Sequence, residues 1–246
     1  MYRTLNPEQI IATLETLTKR ICERFPNSGL AGVSTDLTNI AKETQEKVDR
    51  IARPYLGLRA LLIFLLAGAA ALIIWLVISA KDALSISAST ELSEVVQGID
   101  AGVSVLIVLG ATALFLVSLE SRWRRDQALK ALHEFRSIVH VIDMHQLTKD
   151  PSAFGAPRTS SSPDRPMSVY QLLRYLGYCS ELLSLSGKVA ALYADKLRDP
   201  VIVDAVGDIE RLTANLSQKI WQKIELVQER MPSRPASDAL APKVHS

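Results

Sequence analysis

Three histidines and two acids gather on one stretch of this 246-residue chain: His133, Glu134, His140, Asp143 and His145. On a helix, His133 and His140 are seven apart and share a face, with Asp143 one turn beyond His140. Imidazole and carboxylate together form the donor set of a transition-metal site. The i, i+4 histidine pair of helical zinc motifs is missing, however, and solvated histidines are far commoner than ligands. No metal ligand is assigned. Cys22 and Cys179 lie in no metal or redox motif.

A second group of reactive atoms consists of hydroxyls. Ser104, Thr112 and Ser118 fall on nearly one face of an apolar segment, and in a ring of copies they could line a lumen. Ser and Thr in membrane helices more commonly bond their own backbone or a neighbouring helix. The sequence has no Gly-rich phosphate loop, nucleophile elbow or paired-carboxylate motif. No catalytic residue and no cofactor is assigned, and the chain is expected not to be an enzyme. A net charge of +2 also argues against a nucleic-acid partner.

The elements that carry these residues are dominated by two uninterrupted apolar runs, Ala60 to Ile78 and Ala101 to Leu119. Each is nineteen residues long and free of Asp, Glu, Lys, Arg, His, Asn and Gln. At about 1.5 Å per residue, such a helix covers roughly the 30 Å hydrocarbon core of a bilayer. A soluble helix would keep a polar stripe. The flanking charge is lopsided. Lys42, Lys47, Arg50, Arg53 and Arg59 precede the first run, and Arg122, Arg124, Arg125, Lys130 and Arg136 follow the second. The connecting segment 81–100 carries Lys81 against Asp82, Glu91, Glu94 and Asp100. Retention of Lys and Arg in the cytoplasm places both termini inside, with Tyr55, Trp123 and Trp75 as interfacial anchors. More than fifty mixed-charge residues ahead of the first run exclude a signal peptide there.

Small residues sit at mid-depth in both runs: Ala67, Gly68 and Ala71 in the first, Gly110, Ala111 and Ala113 in the second. They permit close helix contact, within the pair or between copies. Outside the runs the pattern is helical throughout. Asn6-Pro7-Glu8 starts a helix with Ile10, Leu14, Leu17 and Ile21 on one face, ending near Phe25-Pro26. Ser34 or Thr35 is expected to cap the next, whose apolar positions Leu37, Ile40, Ala41 and Thr44 recur eleven residues later. Pro54 should kink or break it. A Ser89-Thr90 cap starts the second apolar helix a turn or two before its run, and Leu132, Phe135, Val139 and Ile142 carry it onward to Leu147. Four prolines and Ser160-Ser161-Ser162 mark a flexible linker, in which phosphorylation is less expected than a plain spacer role. Ser168 caps a helix bearing Leu172, Leu176, Cys179, Leu183, Ala190 and Tyr193 at heptad-like spacing. After Asp199-Pro200, a last helix carries Ile202, Val206, Ile209, Leu216, Ile220, Val227 and Met231.

The expected fold is all-α: a two-helix transmembrane hairpin with a cytoplasmic bundle of coiled-coil-like helices. Its divisions are amphipathic helices over 1–58, a span over 59–80, an external loop over 81–100 and a span over 101–120. An extension over 121–147, a linker over 148–166, a helical hairpin over 167–231 and a disordered tail over 232–246 complete it. The matching function is a membrane-anchored scaffold, docking or relay protein of a bacterial inner membrane. Its expected partners are the lipid bilayer, further copies of itself and an unidentified cytoplasmic protein. A homo-oligomeric pore is the competing expectation.

Overall fold

A computed structural model describes residues 5–86, 92–149, 160 and 167–229. Met231, the Ser89-Thr90 cap, the tail and most of the expected linker lie outside these residues. Six helices hold 92% of the described residues and no strand occurs among them. They are α1 (Pro7–Arg24), α2 (Gly29–Ala52), α3 (Leu56–Ile86), α4 (Leu92–Leu147), α5 (Val169–Leu197) and α6 (Pro200–Glu229).

Local chemistry accounts for the ends. The Asn6 side chain accepts from the Gln9 N–H at 3.2 Å with Pro7 behind it, which satisfies one of the orphan donors at the start of α1. Asn27, at φ 59°, turns the chain through the left-handed region that asparagine tolerates. The start of α2 differs from the sequence expectation. Ser28, not Ser34 or Thr35, is the cap: its hydroxyl accepts from the Ala31 N–H at 3.2 Å and its carbonyl from Gly32 at 3.2 Å. Ser34 is buried inside the helix, its hydroxyl turned back onto the Ala31 carbonyl. The helix therefore starts six residues earlier, because Ser28 satisfies the Ala31 and Gly32 donors of its first turn. Pro54 falls in the break between α2 and α3. Ser168 and Gln171 close a reciprocal capping box on α5. Arg198, at φ 50°, ends that helix, and Asp199 caps α6 through the Val201 N–H at 2.9 Å.

The chain forms two compact units. The first comprises Met1–Lys47 and Ala131–Ser246. Its centre is α5, where fifteen residues are buried, more than one face of a helix can supply. The heptad-like stripe in the sequence is thus only part of the buried surface. Against α5 lies α6, which buries Ile202, Val206, Ile209, Thr213, Leu216, Ile220, Ile224 and Val227 at steps of three and four. Gly187 permits this approach, since a Cβ there would stand 3.1 Å from the Thr213 hydroxyl. The apolar face of α1 packs on α5 as well, with Phe25 edge-on to Tyr175 at 5.3 Å. Polar ties join the remaining segments: Thr18 to Thr38 at 2.9 Å, Glu15 to Lys42 at 2.6 Å, and Lys47 to Glu134 at 3.6 Å. Gln146 is buried with both amide atoms satisfied, donating to Asp143 and accepting from Lys223, each at 2.6 Å.

The second unit, Val48–Lys130, holds α3 and the apolar part of α4. Both helices are long and apolar enough to cross a membrane. In their most apolar stretches only 6% and 0% of residues are buried, so these are not core helices.

Candidate functional site

Exposed apolar surface is the chief feature of the second unit. Phe64 and Leu114 are each 75% exposed, and Ile63, Ile107 and Phe115 stand out with them. The half-covered positions form narrow stripes. On α3 these are Leu58, Leu62, Leu65 and Ala69, and on α4 Gly102, Val105, Leu109, Ala113 and Leu116. Steps of three and four place each set on one helix face.

Glu120 joins the two helices at one end. Its side chain is 15% exposed and accepts from Arg124 at 2.6 Å and from the backbone N–H of Tyr55 at 3.4 Å, with Arg59 at 4.0 Å. Tyr55 immediately precedes α3, so a carboxylate from α4 satisfies an N-terminal donor of α3 and complements its dipole. Tyr55 also meets Trp123 edge-on at 5.8 Å and accepts a hydrogen bond from Gln127 at 2.9 Å.

The small residues singled out in the sequence divide between the faces. Ala67, Gly68, Ala71, Gly110 and Ala111 are exposed, and a Cβ added at Gly68 or Gly110 would meet nothing within 4 Å. Ala113 is on the half-covered stripe. Of the hydroxyls, Ser104 and Ser118 are exposed, while Thr112 is half-covered and donates to the Val108 carbonyl of its own helix at 2.8 Å.

The histidine stretch lies in the first unit and does not converge. His133 and His140 are exposed, and Asp143 is engaged by Gln146. His145 is half-buried, its ring set against Gly29 where a larger residue would need its side chain. Burial, with Lys149 nearby, lowers its pKa from the ordinary histidine value. Burial pushes the Cys179 thiol up to about 12, so it is a packing residue and a poor nucleophile.

The first unit also carries a groove that the sequence did not flag. Arg20, Glu23 and Arg24 on α1 face Arg174 and Tyr178 on α5 around a cavity of about 500 Å³. The guanidinium of Arg174 lies 4.7 Å from the Tyr178 ring centre, and that of Arg24 lies 5.7 Å from the ring of Tyr170. Arg24 also donates to the Tyr170 hydroxyl at 3.4 Å, the main cause of its raised pKa. The signal available in the sequence was the i, i+4 pairing of Arg20 with Arg24 and of Arg174 with Tyr178. On a single helix either pair reads as an ordinary solvated face.

No protein family, no curated protein and no solved structure matches this chain.

Proposed function

We propose that this is a non-enzymatic protein of a bacterial inner membrane, in which α3 and α4 form a transmembrane hairpin that anchors a cytoplasmic helical bundle. The bundle acts through protein contacts, as a scaffold, docking platform or relay. The observation that carries this reading is the contrast between the two units. One closes its apolar residues into a core, whereas the other leaves Phe64 and Leu114 three-quarters exposed along two helices of span length. Water does not tolerate that surface; hydrocarbon does. Charge supports the orientation. Ten basic residues flank one end of the helix pair and a single lysine lies in the connecting segment, which favours both termini inside. Glu120, Arg59 and Arg124 with Tyr55 and Trp123 then belong at the inner headgroup level, where charges and amphipathic rings are stable.

The exposed Ala67, Gly68, Gly110 and Ala111 leave room for another helix, and self-association through them is part of this proposal. A pore lined by Ser104, Thr112 and Ser118 is less favoured, because Thr112 already spends its donor on its own helix.

Cysteine labelling tests the orientation. Cys22 is exposed and Cys179 buried, so the informative native thiol is Cys22. In intact cells a Ser87→Cys variant should react with an impermeant maleimide while Cys22 should not, and Cys22 should react after lysis. Labelling of Cys22 without lysis would invert the topology.

A further inference from the structure

We propose that the groove between α1 and α5 binds a phosphate-bearing, multiply charged oxyanion. Among the described residues, its lining opposes three guanidiniums, Arg20, Arg24 and Arg174, to one carboxylate, that of Glu23. Several cations elsewhere in the same unit sit against acids, Lys42 on Glu15, Lys47 on Glu134 and Arg211 on Asp208, while Lys188 and Lys223 bond the neutral Ser184 and Gln146. In the groove, Arg24 and Arg174 rest on tyrosine rings instead of carboxylates. Among the described residues, Arg174 Nε has no hydrogen-bond partner, and Arg20 has no carboxylate within ion-pair distance.

This arrangement costs stability in the absence of a ligand. Arg20 and Arg24 repel at i, i+4, and Arg174 adds a third positive charge across the groove. It also prepares the groove for an oxyanion. A guanidinium stacked on a ring has its face covered and its N–H edge left for a ligand, and the ring limits the freedom lost on binding. The planar fork matches phosphate oxygens bidentately, which a lysine ammonium does not. Among the described lining residues, three cations less one acid leave a surplus of two, about the charge of a phosphate monoester near neutral pH. The volume falls within the range of small-ligand clefts, so the site accommodates more than a bare ion. Glu23 and the Tyr178 hydroxyl can meet donors elsewhere on the ligand. The chemistry is the same whether the phosphate belongs to a soluble ester or to a lipid headgroup.

The test is calorimetric titration of the full chain, in nanodiscs of neutral lipid at fixed ionic strength, with inorganic pyrophosphate as the probe. Wild type should bind saturably at one site per chain. Arg174→Gln and Arg20→Gln should each weaken binding roughly tenfold, as expected for loss of one charge-assisted contact. Arg211→Gln, which removes an equal charge on α6, should not. Urea midpoints of the variants within error of wild type separate lost binding from lost folding. Absence of saturable binding up to about a hundred times micromolar affinity overturns the proposal. So does equal weakening by Arg211→Gln, which would reduce the effect to net charge. Repeating the titration with phosphatidic acid in the nanodisc identifies the source. Arginine-dependent competition assigns the site to a headgroup, and unchanged affinity assigns it to a soluble phosphate ester.

Discussion

Replacing Ile220 and its neighbour Trp221 separately by alanine should separate burial from size. Ile220 is 0% exposed at the α5–α6 seam, while the larger Trp221, one position on, is 56% exposed. Ile220→Ala removes three carbons from the core, about 2.4 kcal/mol at 0.8 kcal/mol per buried methylene. Incomplete collapse of the cavity raises this to about 3 kcal/mol, inside the usual range of about 2–5 for Ile→Ala. Trp221→Ala gives up only its covered edge and regains a few tenths in helix propensity, so its cost should stay below about 1 kcal/mol. Pulse proteolysis of the chain in nanodiscs across a urea series reads the fraction of the helical unit that is unfolded. With an m-value of about 2 kcal/mol per molar, Ile220→Ala should lower the midpoint by about 1.5 M and Trp221→Ala by less than about 0.5 M. A Trp221 shift as large as that of Ile220 would refute the seam, because it would place the covered face of α6 on the wrong side.

Gly29→Val should destabilise the same unit by about 1–3 kcal/mol, since the new side chain would occupy the space of the His145 ring. Adding His145→Ala should restore part of that loss, and additive costs would show that the two do not touch. His145 has its folded pKa lowered, so the unfolded chain takes up the proton first. The urea midpoint should therefore be level above about pH 6.5 and fall below it, and His145→Gln should remove that part of the slope. Gly68→Leu or Gly110→Leu should reduce oligomer size in mild detergent while leaving membrane insertion intact. A wild-type monomer would end the self-association proposal.

Much of the helical layout was legible because its signals are local. Asn6-Pro7, Ser168 and Asp199-Pro200 each act on donors within one turn, and each marks a helix end in the structure. The apolar faces of α1 and α6 could be read from their spacing for the same reason. Ser34 shows the limit of that reading. It has the composition of a cap, but a serine six residues earlier has both the oxygen and the turn that the helix start requires. Thr213 is polar and yet buried, because its hydroxyl donates to the Glu210 carbonyl at 3.0 Å and its methyl side packs without leaving a polar group unsatisfied.

The sequence by itself determined the two apolar helices, the break at Pro54 and the charge asymmetry, because hydropathy and capping are written in consecutive residues. Only the tertiary structure decided that α5 is buried on several faces, that Glu120 serves the start of another helix, and that Arg20, Arg24 and Arg174 share a groove. Each of these joins residues far apart in the chain. Their proximity follows from which helix faces pack together, and no periodicity within a single helix encodes that choice.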